Sequence, residues 1–230
     1  MARSKNIEQR QSILSKALQM FYERGVDAVM MKEIAKESGI SVSLLNHYFP
    51  RKEEILVQIF YNMIHTVLGF AKENVTVCAK ETDNPGILMV SAFYYLFYDI
   101  LLRDNKRLLM IYTVVLYNAP LLQRATDRTF KMGEEFPELP LSNEGKFGLY
   151  TVNGAMSQIV SLFLSIHETL DFDLVEQLRN QLRLFYFSME MTNEQVQCAE
   201  KFLTEILSQE MYDRCYQNYL DKMYTFEVVD

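Results

Sequence analysis

The sequence is short of the residues that mark disulfide-rich, disordered or collagen-like chains. It has no tryptophan, three cysteines, eight glycines and five prolines in 230 residues. Cys78, Cys198 and Cys215 are odd in number and lack the spacing of a metal site or a disulfide framework. We therefore expect reduced thiols in a cytoplasmic protein without a metal or a cofactor. With 49% apolar residues and no low-complexity segment, the composition favours a compact, mostly helical fold.

Long apolar runs are also missing. The N-terminal residues are polar and lack the apolar core of a signal peptide. The longest apolar run, 87–102, is interrupted by Ser91 and Asp99 and is shorter than the roughly 18 residues of a membrane-spanning helix. We predict a buried central helix, with Asp99 paired to Arg103 one turn later, and no membrane partner. No nucleophile–base pattern, paired carboxylates or phosphate-binding glycines occur, so we expect no enzymatic activity.

The charges are unevenly distributed along the chain. The net charge is −7, yet residues 1–55 hold nine Lys and Arg against seven Asp and Glu, a net charge of +2, so the remainder carries −9. A mildly basic N-terminal part on an acidic remainder suits a protein that meets phosphate at one end only. The asymmetry is compatible with DNA binding but does not by itself predict it.

Apolar residues recur at three- and four-residue intervals along most of the chain, and no segment alternates like a strand between turns. The pattern therefore predicts an all-α fold of about ten helices. The expected helices are 6–24, 32–38, 42–48, 52–78, 86–103, 105–117, 119–132, 144–166, 173–189 and 193–224, with a loop at 133–143.

The segment 31–52 predicts a helix-turn-helix. Gly39 permits a sharp turn after a short helix, and Ser41 is a typical N-cap for the next helix, 42–48. Pro50 disfavours helix at the residue before it and ends the unit. A unit of this kind places its second helix in the major groove of DNA. A tight helical corner also occurs in proteins that bind no DNA, so the flanking residues matter.

Residues 13–56 resemble the TetR family of transcriptional regulators. The shared features are a phenylalanine before Glu-Arg-Gly, an Ile-Ala pair, a turn glycine, and a Tyr-Phe pair followed by a lysine and an acid. Here they stand at Phe21, Glu23, Arg24, Gly25, Ile34, Ala35, Gly39, Leu45, Tyr48, Phe49, Lys52 and Glu53. The resemblance implies a helix-turn-helix DNA-binding domain at 1–52, called the head below. It also implies a larger helical effector-binding and dimerisation domain at 53–230, called the body.

The outer face of the helix 42–48 carries the candidate base contacts, because Leu45 turns inward and its neighbours turn outward. Asn46 can pair with adenine, and Val42 or Leu44 can pack on a thymine methyl group. The predicted DNA-binding residues are Lys32, Ser41, Val42, Ser43, Leu44, Asn46, His47, Tyr48 and Lys52.

Contacts with phosphate are implied by the resemblance. Lys32 is expected to reach the groove, and Tyr48 and Lys52 are similar to residues that hold phosphate. The sequence departs from the family at two positions, with Val42 where members often carry lysine and Asn46 where an aromatic residue is usual. We therefore expect weaker attraction to phosphate and a different operator sequence, and not a loss of binding.

The resemblance further implies a homodimer built from the predicted helices 144–166 and 173–189. Candidate interface residues form stripes along these helices: Gly148, Val152, Ala155, Ile159, Leu162, Leu178, Leu182 and Phe185. Without the resemblance, the same stripes fit the core of a single chain equally well.

Members of the family often bind a small molecule inside the body, and aromatic side chains are frequent there. The candidate ligand-binding residues are Phe93, Tyr94, Phe97, Met110, Tyr112, Tyr117, Phe147, Tyr150 and Asn153. Such a lining suits an apolar or aromatic ligand, while aromatic residues at helical spacing more often pack as core.

The leading hypothesis is a homodimeric repressor of transcription that a small ligand releases from operator DNA. The alternative is a helical adaptor that uses the same corner to bind a protein and not DNA.

Overall fold

The computed structural model describes residues 2–76, 85–103, 118–131 and 174–226, together with positions 114, 115, 148, 150, 151, 154 and 155. These residues are helical apart from turns and short connections, and no strand occurs among them. The all-α prediction is therefore confirmed. The predicted helix 105–117 lies largely outside the described residues, as does most of 144–166, and the predicted loop 133–143 lies wholly outside them.

Three helices form the head: α1, Ala2–Arg24; α2, Met31–Glu37; and α3, Val42–Tyr48. Gly25 ends α1 with a φ of +83°, and Gly39 makes the turn before α3 with a φ of +67°. Both angles lie in the left-handed region, where only glycine carries no Cβ penalty. The predicted turns are thus confirmed, while α1 begins four residues earlier than its apolar pattern predicts.

Helix α4, Lys52–Ala71, runs from the head into the body and continues as a π-helical turn, Lys72–Thr76. Most of its side chains are buried, on more than one face. The segment Lys52–Val75 is long and apolar enough to cross a membrane, but 78% of its apolar window is buried inside the protein. A helix buried to this extent is a core helix, and it joins head to body without an intervening loop.

The body packs around α4. Helix α5, Pro85–Arg103, lies against α4 and is almost wholly buried, as predicted for the apolar run, while α6, Ala119–Lys131, packs on α4 from another side. Helix α7, Leu174–Ser188, contacts α5. Buried Ser91 of α5 accepts a hydrogen bond at 2.8 Å from the phenol of Tyr186 on α7, which satisfies a polar pair deep in the core.

The C-terminal part contains two helices where the sequence pattern predicts one over 193–224. Helix α8 spans Asn193–Ile206 and α9 spans Gln209–Lys222. The chain leaves helical geometry at Leu207, which has a ψ of 65°, and the hydroxyl of Ser208 accepts a hydrogen bond from the backbone N–H of Met211 at 3.3 Å. A serine cap followed by an acidic first turn is a start signal in the sequence, and the apolar periodicity masked it.

Candidate nucleic-acid interface

The recognition helix α3 is fixed by its inner face. Leu45 is fully buried and Phe49, just beyond the helix, is 2% exposed, so both anchor α3 in the head core. The hydroxyl of Ser41 accepts a hydrogen bond from the backbone N–H of Leu44 at 3.1 Å and caps the helix, as predicted. A short helix held at its start, middle and end presents its outer side chains in one orientation.

The outer face of α3 is open to solvent and carries no lysine or arginine. Its exposed side chains are Val42, Ser43, Leu44, Asn46 and His47. Val42 and Leu44 are large apolar residues that remain 42% and 40% exposed. One amide and several apolar groups on a rigid helix can make base-edge and methyl contacts in a major groove.

The predicted phosphate contacts divide into two groups. Lys32 is exposed and Tyr48 is half-buried, with the ring of His47 packed edge-on against it at 5.8 Å between centroids. The ammonium of Lys52, in contrast, donates hydrogen bonds to the carbonyls of Val26 at 2.8 Å and Val29 at 3.1 Å. These bonds tie the start of α4 to the loop between α1 and α2. They occupy two of the three protons that a phosphate contact would use.

Arg24 and Glu33 hold the corner between α1 and α2. The guanidinium of Arg24 donates to Glu33 at 2.7 Å and to the carbonyl of Ala28 at 3.1 Å. The other carboxylate oxygen of Glu33 accepts from the backbone N–H of Met30 at 2.8 Å. The hydrogen bond from Arg24, then that from Met30, lowers the pKa of Glu33. The sequence marks Arg24 as part of the Glu-Arg-Gly feature but does not indicate its partner Glu33, nine residues away.

The candidate ligand residues on α5 lie in the core of the body. Phe93, Tyr94 and Phe97 are buried, with ring centroids 5.2 Å apart for Phe93–Tyr94 and 5.4 Å for Phe93–Phe97. Burial also raises the pKa of Tyr94. Rings packed on one another serve as core, which favours the alternative interpretation for these three residues.

Of the remaining ligand candidates, the structure describes only Tyr150. The phenol of Tyr150 donates to the carboxylate of Asp127 on α6, and burial, followed by that hydrogen bond, raises the pKa of Tyr150 to about 12. The other candidates, Met110, Tyr112, Tyr117, Phe147 and Asn153, lie outside the described residues.

Three of the candidate dimer-interface residues lie on α7 and are buried within the single chain. Leu178, Leu182 and Phe185 are at most 2% exposed, so packing within the chain accounts for their burial, and their part in a dimer stays a prediction. Gly148 also packs within the chain, because a Cβ there would lie 2.2 Å from Oγ of Ser188 and 3.1 Å from Cδ2 of Phe185. Helical periodicity identified these faces as apolar but could not tell which neighbour covers them.

The structure describes only one of the other interface candidates. Ala155 is half-buried, whereas Val152, Ile159 and Leu162 lie outside the described residues. The opposite face of α7 carries two large exposed apolar residues that the prediction omitted, Leu184 at 53% and Phe187 at 58% exposure.

Comparisons with known proteins agree with the geometry of the head. Residues 13–59 match the family model described as bacterial regulatory proteins, tetR family. The chain is 32% identical over 76 residues to the HTH-type transcriptional regulator BetI of Rhizobium meliloti, covering 33% of this chain and 36% of that protein. It is 31% identical over 103 residues to the HTH-type transcriptional regulator SAB2452 of Staphylococcus aureus, covering 45% of this chain and 52% of that protein. The chain thus spans between a third and about half of the length of these relatives.

Among solved structures, SmeT, the repressor of the Stenotrophomonas maltophilia multidrug efflux pump SmeDEF, is 19% identical and has a TM-score of 0.45, with coverage of 78% of this chain and 89% of SmeT. A likeness at that level does not define how the body helices are arranged. The helices and the exposed face of α3 define the head as a helix-turn-helix DNA-binding domain. Residues 13–59, which make up most of this domain, are therefore similar to the DNA-binding part of the bacterial regulatory proteins of the tetR family.

Proposed function

We propose that the protein is a homodimeric repressor of transcription that binds a two-fold operator through α3 and leaves it when a small ligand binds the body. The observation that carries the proposal is the outer face of α3. Its residues are exposed because Leu45 and Phe49 hold the opposite face in the core. The face meets the geometric need of a recognition helix, which is a rigid helix with free polar and apolar side chains.

Recognition of the operator rests on few charges. Asn46 supplies both a donor and an acceptor for adenine, and Val42 and Leu44 supply methyl-sized surfaces for thymine. Exposed Lys32 and Arg51 flank the face and attract phosphate, while Lys52 acts mainly within the fold. With few phosphate contacts, the affinity should fall less steeply with salt than that of a strongly basic DNA-binding protein.

Dimerisation supports the proposal because one short recognition helix covers only a half-site. Leu184 and Phe187 lie three residues apart on the solvent side of α7. They are the two most exposed large apolar residues of the described part of the body. Large apolar side chains that one chain leaves uncovered are typical anchors of an interface between subunits. We therefore assign the second copy of the chain to this face.

Transmission between body and head follows α4. The carboxylate of Glu54, in the first turn of α4, pairs with Arg124 of α6 and with Arg51 at 3.5 Å. A ligand that shifts α6 would therefore move the start of α4, and with it α3, which ends at Tyr48 and is separated from α4 by three residues. Such a shift changes the distance between the two recognition helices of a dimer, and a changed distance no longer matches the operator. The aromatic body suits an apolar or aromatic ligand.

The test begins with selection of a duplex from a randomised library by the purified protein, followed by fluorescence anisotropy at two salt concentrations. Asn46→Ala should weaken binding by about tenfold or more, since a bidentate base contact contributes about 1–3 kcal/mol. Asn193→Ala changes the same residue type at an exposed position on α8 and should leave the affinity unchanged. If the wild-type protein selects no duplex, the proposal is wrong. An adaptor would fail this selection and would retain its protein partner after Asn46→Ala.

A further inference from the structure

The residues that follow α9, 223–226, lie between the head and the body. The side-chain amide of Gln11, on α1, donates to the carbonyl of Phe226 at 2.6 Å. Asn62, on α4, donates to the carbonyl of Thr225 at 3.3 Å. Two consecutive carbonyls near the end of the chain thus accept hydrogen bonds from one side chain of the head and one of the body helix.

The side chains of this segment are packed as well. Phe226 is 1% exposed and Met223 is 8% exposed, so both belong to the core. Tyr224 lies beside the end of α1, where burial raises its pKa and nearby Tyr22 and Glu23 raise it further. The segment is therefore anchored at both of its ends by the buried side chains of Met223 and Phe226, while Tyr224 and Thr225 between them are exposed.

Helix α9 fixes the point from which the segment starts. Arg103 of α5 pairs with Asp213 of α9, and Arg214 of α9 donates to the side-chain carbonyl of Asn74 at 2.8 Å. Cys215 and Tyr219 of α9 are buried against the body. Two other elements of the body hold α9 in place. The residues that follow α9 and contact α1 therefore connect the head to a fixed part of the body.

We propose that residues 223–226 form a C-terminal clamp that holds the head against the body in its DNA-binding position. The clamp acts in parallel with α4, the covalent connection between the two parts. Through α4 alone, the head is attached by its chain, by the packing of α1 against α4 and by the bonds of Lys52. The clamp adds a second attachment at Gln11 near the middle of α1.

A head held at two points has less orientational freedom before it meets DNA. Binding then requires less ordering of the protein, and a preordered surface binds more tightly for the same contacts. The hydrogen bonds of the clamp join it to Gln11 of α1 and Asn62 of α4, away from the exposed face of α3, so we assign its residues a positioning role. This step rests on the proposed function, because it concerns the affinity for an operator.

Two variants remove the clamp in different ways. Gln11→Leu removes the donor to Phe226 and keeps the size of the side chain. Phe226→Ala removes the buried ring. The matched control is Gln19→Leu, an exposed glutamine on the same helix whose amide donates to Glu23 within α1.

Hydrogen–deuterium exchange by mass spectrometry measures the clamp without DNA, and anisotropy with the duplex selected by the wild-type protein measures its consequence. Gln11→Leu and Phe226→Ala should each speed exchange in α1–α3 and leave exchange in α5 unchanged. Each should weaken DNA binding by about fivefold to tenfold, because the free head would then have to be ordered on binding, at a cost similar to that of immobilising a few side chains. The double variant should resemble the stronger single variant, because both changes break the same attachment. Gln19→Leu should match the wild type.

Unchanged exchange in α1–α3 after Gln11→Leu would overturn the clamp, and so would unchanged or tighter DNA binding. If Phe226→Ala unfolds the whole chain in a thermal scan, Gln11→Leu carries the test alone. If the wild-type protein selects no duplex, the proposed function fails. The exchange experiment still decides whether 223–226 restrains the head.

Discussion

The head and the body differ in what stabilises their geometry. In the head, signals within a few residues set the turns and the start of α3: two glycines in the left-handed region and a serine cap. In the body, decisive contacts join residues far apart in the sequence, such as Tyr186 with Ser91 and Arg103 with Asp213. The contrast teaches that the head is a self-contained corner, while the arrangement of the body depends on many helices packing at once.

The two regions also expose apolar residues for different reasons. Val42 and Leu44 stand on the short recognition helix among polar neighbours, which suits methyl contacts with bases. Leu184 and Phe187 stand together on one face of a long helix, which suits another helix. Under the proposed function, the same property, an uncovered apolar side chain, is assigned to DNA in one region and to a second protein chain in the other.

The largest effect is expected from a cavity in the head core. Leu45→Ala should lower the free energy of unfolding of the head by about 2–5 kcal/mol, because the side chain is fully buried. DNA binding should be lost with it, while the body should keep its helical circular dichroism signal. Urea unfolding that is monitored by far-ultraviolet circular dichroism should show an early head transition. Leu44→Ala, one residue earlier and exposed, should unfold like the wild type. A single transition at a lower urea concentration would mean that head and body unfold together, and an unchanged transition would contradict the expected loss of stability.

The turns of the head could be predicted because single residues indicate the local backbone conformation. Gly25 and Gly39 predict turns and Ser41 predicts a helix cap, and the structure has all three. The bonds of Lys52 to Val26 and Val29 were not predictable, because they connect positions more than twenty residues apart. No local pattern distinguishes a lysine that will meet a phosphate from one that will meet a carbonyl.

For the body, the sequence predicts the helices but not which helices pack against one another. Periodicity placed Leu178, Leu182 and Phe185 on one face, but it did not indicate that these side chains are buried within the single chain, where α7 packs against α5. The break at 207–208 was missed because apolar spacing continues across it. The contact of Gln11 with Phe226 spans 215 positions, and it depends on the whole body being folded.

A charge on the exposed face of α7 tests whether a second chain covers it. Phe187→Asp should weaken dimerisation by about 30-fold, the effect of losing an anchor of about 2 kcal/mol. Sedimentation equilibrium measures the change, and the head should remain folded by its thermal transition. Gln197→Asp, on an exposed position of α8, provides the same new charge outside the face and should leave dimerisation intact. An unaltered dimer in Phe187→Asp would move the interface away from this face.

The cap of α3 tests how local the stability of the head is. Ser41→Ala should lower its free energy of unfolding by about 1 kcal/mol, because the N–H of Leu44 loses its acceptor at 3.1 Å. Ser43→Ala changes a hydroxyl that is exposed two positions later and should have little effect on stability. Chemical unfolding of the two variants under identical conditions gives the comparison. Equal losses of unfolding free energy in the two variants would show that the cap of Ser41 adds no stability.

The smallest expected effect is the pH dependence of the corner between α1 and α2. The guanidinium of Arg24 lowers the pKa of Glu33 in the folded protein below its usual value of 4.5. A carboxylate with a lowered folded pKa contributes stability above its unfolded pKa and loses that contribution as the pH falls through the folded value. Glu33→Gln should therefore unfold at a lower temperature than the wild type at neutral pH.

The difference should shrink as the pH falls below about 4.5, the usual carboxyl value. Glu37→Gln, on the same helix and exposed, removes a carboxylate without altering the pair of Arg24 and Glu33 and is the matched control. A difference between Glu33→Gln and the wild type that stays constant from neutral to acidic pH would mean that the folded head does not depress this pKa. The corner would then owe its geometry to Gly25 and to packing. The ion pair of Arg24 and Glu33 would contribute little to the stability of the head.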